Sequence, residues 1–215
     1  MQLILSRHGN TFSPQDAVVW VGAKQDLPLV DSGVLQAKCL GLALQKADIP
    51  LKAVYCGPLK RARDYATIVL KALSSPLKPI VDWRLNEIDY GTWSGLSNVQ
   101  IQQMGQGSAL SAWENSSVWP ENSGWSGSAA QIISEVKALA EDLIEQYEAT
   151  DTILLISSNG RLRYFLKLIS QAFEQRVANK ALKVLTGNIC FFLYENKKWQ
   201  IKFWNKSPDY LLKPA

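Results

Sequence analysis

Short unbroken apolar runs alternate along this chain with longer stretches whose apolar residues recur at helical spacing. Leu3-Ile4-Leu5-Ser6 is too short for a helix and reads as a buried strand. Val34 to Lys46 carries a helical pattern, entered through Asp31-Ser32-Gly33, where Asp31 or Ser32 is placed to cap it. Ala53 to Cys56 is a second strand, stopped by Gly57-Pro58. Leu59 to Leu73 follows as an amphipathic helix with Pro58 near its first turn. Pro79 to Asp82 reads as a short third strand. Ser128 to Tyr147 is the longest helical pattern. Thr152 to Ser157 is a strongly apolar strand, with a helix from about Arg161 to Phe173 after it. Ile189 to Tyr194 and Trp199 to Trp204 flank Asn196-Lys197-Lys198 and predict a hairpin. Strand and helix in alternation predict an α/β fold: a three-layer sandwich, with a mostly parallel central sheet and helices on both faces.

Gly91 to Gly127 breaks the pattern. It is rich in Gly, Ser, Asn and Trp, with weak periodicity. It reads as an insertion or lid containing one or two short helices. Its tryptophans, Trp93, Trp113, Trp119 and Trp125, either pack this segment onto the core or select the organic part of a ligand.

Composition narrows the classes. At 215 residues, 47% hydrophobic and 20% charged, the chain suits a single globular domain over 1–215. No apolar run is long enough to span a bilayer. The net charge of +4 suits a small anionic substrate but is too weak and scattered to indicate nucleic acid. Cys39, Cys56 and Cys190 are odd in number and far apart, which favours a reducing compartment over disulfides or zinc. With Arg7 cutting off the apolar start, no signal peptide is read, and a cytoplasmic protein is expected.

In folds of this kind, ligands sit beyond the carboxyl ends of the strands. Arg7-His8-Gly9, Gly57 to Arg61, Glu87 and Ser157 to Gly160 all fall there. His8 is the only histidine, so a His-rich metal site is excluded and no metal or other cofactor is expected. Flanking guanidinium groups disfavour a charged imidazole, leaving it neutral and nucleophilic, and the same groups clamp phosphate.

Arg7-His8-Gly9-Asn10-Thr11 resembles the RHGxT signature of the histidine phosphatase superfamily, the phosphoglycerate mutase-like group. Asp26-Leu27-Pro28-Leu29 with Gly33 and Gln36-Ala37, then Pro58 to Ala62, then Leu85 to Gly95 resemble further segments in the family's order. The resemblance implies a phosphomonoesterase acting on a small phosphate ester. His8 would accept the phosphoryl group, and Arg7 and Arg61, with Asn10 beside them, would hold phosphate oxygens. Glu87 would protonate the leaving oxygen and then activate water. Asp89 is the rival carboxylate, two residues off the motif, and Arg63 and Arg84 read as surface charges.

The family carries a second histidine in a segment like S-H-G-G-x-x-R. Here the segment is Ser157 to Arg163, and the histidine position falls on Ser158 or, with a one-residue slip, on Asn159. Gly57, Tyr65 and Pro14 also depart from the pattern. Removing one charge-stabilising donor typically costs about 10²–10³ in rate. Ser158, Asn159 and backbone N–H groups after Gly160 are candidate replacements. Arg161 is either a restored cation or a solvated first-turn residue. Three readings therefore stand: a phosphatase, with a mutase the weaker enzyme reading; a weak or inactive regulatory protein that binds phosphate esters; and a scaffold with no phosphate affinity.

Overall fold

The computed structural model describes residues 1–213. Six strands form one sheet: β1 (Gln2–Arg7), β2 (Leu51–Cys56), β3 (Ile80–Val81), β4 (Thr152–Ser157), β5 (Ile189–Glu195) and β6 (Lys198–Lys206). Their order is β3-β2-β4-β1-β5-β6. β1, β2, β3 and β4 run parallel, while β5 lies antiparallel to both β1 and β6. The β5–β6 hairpin turns through Asn196 and Lys197, both at positive φ, the geometry that matches the twist of the strands it joins.

Side chains alternate between the two faces of the sheet. Leu3, Leu5, Tyr55, Ile153 and Leu155 enter one core; Ile4, Val54, Cys56, Leu154 and Ile156 enter the other. All six residues of β4 are buried, which is why its sequence is an unbroken apolar run. Helices α1 (Asp31–Lys46) and α2 (Lys60–Ala72) cover the second core. The first is covered by α3 (Asn98–Ile101), α4 (Gly107–Ser116) and α5 (Ala129–Gln146). The expected α/β sandwich is observed.

Some local expectations change. Val30, not Asp31 or Ser32, occupies the cap of α1, and no side chain caps it. Asp31 sits in the first turn instead, where its charge favours the helix dipole. β3 keeps only two residues because Asp82 turns the chain. Its side chain accepts from the Arg84 backbone N–H and pairs with the Arg84 guanidinium. The helix expected from about Arg161 to Phe173 breaks into α6 (Asn159–Leu162), a 3-10 turn (Arg163–Leu168) and α7 (Ala172–Ala178). Residues 160–166 are all buried, so core packing on every side, rather than one apolar stripe, sets the winding.

The 91–127 segment contains the two short helices α3 and α4, kinked apart at Gly105. Trp93, Trp113 and Trp125 are buried and meet edge to face, with ring centroids 4.7–5.1 Å apart for the Trp113–Trp125 and Trp93–Trp125 pairs. Such pairs add about 0.5–1.5 kcal/mol each beyond area burial. Packing onto the core is therefore the main role of these rings. Trp113 also borders the crevice described next, as does Trp20 from the loop after β1.

Candidate active site

A crevice of about 810 Å³ opens at the carboxyl ends of the parallel strands. Arg7, His8, Asn10, Arg61, Glu87 and Asn159 all line it. His8 follows β1 directly and is buried. Its Nδ1 lies 2.8 Å from the Gly9 carbonyl, and Arg61 Nε donates to His8 Nε2 at 3.2 Å. A carbonyl can only accept, so Nδ1 carries the proton and Nε2 keeps its lone pair. Burial first, then the charges of Arg61 and Arg7, hold the imidazole pKa well below its ordinary value of 6.5.

The two arginines are fixed from different elements. Arg61, in the first turn of α2, donates through Nη1 to Gln25 O at 2.8 Å and through Nη2 to Gly22 O at 2.9 Å. Arg7 ends β1 and donates through Nη1 to Val184 O at 2.8 Å; its Nε has no partner among the described residues. Asn10 is held by Ser32, Gln36 and Thr186.

Glu87 approaches from the loop after β3. Its Oε1 accepts from the Ile88 N–H at 2.9 Å, and its Oε2 faces the Gly160 N–H at 3.4 Å. A Cβ on residue 160 would run into Glu87 Oε1 and the Tyr90 hydroxyl, so any side chain there would displace both groups from their present positions. Burial first, then the Glu87 charge, push the Tyr90 phenol well above its usual pKa. Asp89 is turned away, pairing with Lys24 at 2.9 Å and accepting from Gly91 N–H.

The segment after β4 differs from the sequence expectations. Asn159 lines the crevice, its Oδ1 accepting from the Val184 N–H at 2.8 Å. Ser158 is buried and is not among the residues that line the crevice. The Gly160 N–H points at Glu87, and α6 has only four residues, so backbone donors do not converge on the crevice there. Arg161 is neither solvated nor a crevice cation. It is buried, donates to Asn86 O at 2.9 Å and pairs with Glu135 at 2.5 Å, thereby holding the loop that carries Glu87. Arg84 is likewise more than a surface charge, pairing with Asp82 and Asp142, while Arg63 is exposed.

Several crevice residues escaped the sequence reading, Tyr90 and Arg163 among them. Tyr90 was hidden inside the motif that carries Glu87. Arg163 falls on the arginine of the S-H-G-G-x-x-R-like segment and sits in an otherwise apolar run, Leu162-Arg163-Tyr164-Phe165-Leu166, and both were available signals. Among the described residues, no three His, Cys, Asp or Glu side chains are grouped to hold a metal ion, and no helix is long and apolar enough to cross a membrane.

The buried neutral histidine also has a consequence for stability. Below about pH 6.5 the unfolded chain takes up a proton that folded His8 resists, so acidification favours unfolding. The loss of urea resistance between about pH 7.5 and about pH 5.5 should therefore be smaller in His8→Ala than in the wild type. Equal losses in both would contradict a buried neutral imidazole.

A mostly parallel, helix-covered sheet with its chemically loaded residues at the strand ends defines an α/β protein with a ligand crevice in the usual place for that class. Residues 3–207 match the histidine phosphatase superfamily (branch 1), and the chain belongs to that family. A 2,3-bisphosphoglycerate-dependent phosphoglycerate mutase of Bifidobacterium longum is 26% identical over 201 residues, covering 82% of this chain and 80% of the relative. Among solved structures, a mycobacterial glucosyl-3-phosphoglycerate phosphatase complexed with VO3 shares the fold. It has a TM-score of 0.78 at 23% identity and covers 96% of this chain and 99% of the other. The alpha-ribazole phosphatase of Shigella flexneri has a TM-score of 0.73 at 25% identity, with 96% of each chain covered.

Proposed function

We propose that this protein is a phosphomonoesterase that hydrolyses a small phosphate ester through a phosphohistidine at His8. The observation that carries this reading is the neutral imidazole with its Nε2 lone pair beside Arg61, and with the Glu87 carboxyl lining the same crevice. In the first step the Nε2 lone pair forms a bond to phosphorus while the ester P–O bond breaks. Protonated Glu87 gives its proton to the departing oxygen. In the second step water attacks the phosphohistidine, the Glu87 carboxylate takes the water proton, the N–P bond breaks and phosphate leaves. Arg7, Arg61 and Asn10 bind the phosphoryl oxygens, and Asn159 closes the wall by the β4 end.

Arg61 serves both states. Its Nε–H meets the His8 lone pair when no anion is bound and turns to a phosphoryl oxygen when one is. Phosphoryl transfer depends mainly on such positioning and charge stabilisation.

The retreat of Ser158 from the crevice favours a second reading, a phosphate-ester-binding protein with little turnover. One experiment separates the two. Brief reaction with a labelled aryl phosphate, quenched in base, should leave an acid-labile phosphoenzyme in the wild type and none in His8→Ala. Phosphate binding without any trapped phosphoenzyme or product would establish the binding protein instead.

A further inference from the structure

Three guanidinium groups line the crevice: Arg7, Arg61 and Arg163, the last at the arginine position of the S-H-G-G-x-x-R-like segment, to which the resemblance assigned no role. The third, Arg163, begins the 3-10 turn after α6 and is only 2% exposed. It borders the crevice together with Arg7, Glu87 and Tyr90. Nη1 donates to Trp113 O at 3.0 Å and to Ser117 Oγ at 2.8 Å, and the guanidinium lies over the Trp113 ring, 4.4 Å from its centroid. Its Nε has no hydrogen-bond partner among the described residues. Among those residues, no ion pair includes Arg7, Arg61 or Arg163.

Unpaired buried cations are costly unless a counter-charge is supplied. With His8 neutral, the five cations of the lining, Arg7, Arg61, Arg163, Lys180 and Lys183, set against Asp16, Glu87 and Glu114 leave a formal charge of +2 around the crevice. Arg163 and Arg61 each lower the proton affinity of Arg7, so the groups sense one another. A single dianion would relieve both the mutual repulsion and the desolvation of the three cations.

We infer that Arg163 is a third substrate-binding cation, supplying to the crevice it shares with Glu87 and Tyr90 the positive charge that Ser158 cannot, and making the site selective for the dianionic form of a phosphate monoester. This rests on the phosphatase reading only in naming the ligand as a phosphate ester at His8. Nη1 anchors the side chain to the end of α4 and Nε is sealed from solvent, which leaves Nη2 for the anion.

The competing explanation is that Arg163 only pins α4. Ser117→Ala removes part of that pin and keeps the charge; Arg163→Gln removes the charge and keeps an amide for the Trp113 carbonyl. Binding of inorganic phosphate is followed by thermal shift across the second ionisation of phosphate. Wild type and Ser117→Ala should bind more tightly as the dianion forms. Arg163→Gln should bind about tenfold or more weakly, lose that climb with pH, and turn over substrate about 10²–10³ times more slowly. If Arg163→Gln does not fold, Arg163→Met, which keeps an apolar stem against Trp113, carries the same comparison. A folded, charge-free variant with wild-type phosphate affinity and an unchanged pH climb overturns the inference. Normal phosphate binding in a wild type that traps no phosphoenzyme would overturn the enzyme reading and leave the role of Arg163 standing.

Discussion

His8→Ala is expected to lower the turnover of phosphate monoesters by about 10⁵-fold or more, the scale of losing a nucleophile from a concerted site. No other side chain can take over. The chain has no second histidine, and among its cysteines Cys39 is exposed while Cys56 and Cys190 are buried in the cores. Phosphate affinity should survive, because Arg7 and Arg61 are held by the backbone carbonyls of Val184, Gln25 and Gly22 and not by the imidazole. Steady-state rates and a phosphate titration on the same preparation check both halves. Residual turnover within tenfold of wild type would remove His8 from the chemistry.

Glu87→Gln should produce the second-largest effect, and its size should depend on the leaving group. An alkyl alcohol is a poor leaving group without a proton, so alkyl phosphates should slow by about 10²–10⁴. Nitrophenyl phosphate needs little protonation and should lose far less in the phosphorylation step. The amide is nearly isosteric and can still accept from Ile88 N–H, so the fold should be preserved. Equal losses on both substrates would mean that Glu87 positions the Tyr90 and Gly160 region without transferring protons.

The sequence exposed those parts of the molecule that are fixed by local pattern. The buried strands, the long α5, the hairpin and the placement of Arg7, His8, Arg61 and Glu87 at strand ends all follow from apolar period and motif order. What stayed hidden depends on contacts across the chain. Arg161 looks like a first-turn surface residue until Glu135 and Asn86, from distant segments, claim its guanidinium. Arg163 and Ser158 lie within five residues of one another, yet one lines the crevice and the other does not, a difference that motif spacing does not encode. The loop after β1 showed no period at all. It nevertheless supplies the carbonyls of Gly22 and Gln25 that aim Arg61, and backbone acceptors carry no mark in a sequence.

The position of β1 in the sheet has a consequence for the newly made chain. β1 lies between β4 and β5, whose paired residues begin at Thr152 and Ile189. At a synthesis rate of about 5–20 residues per second, β1 leaves the ribosome on the order of ten to thirty seconds before its first partner exists. During that interval an apolar strand with both edges bare is exposed to other nascent chains. The β2–α2–β3 unit can form meanwhile, since its pieces are close in sequence. Arg7 and His8 sit at the end of the waiting strand, so the crevice is among the last parts of the protein to be assembled, and a chain that stalls before Thr152 has an aggregation-prone end and no crevice.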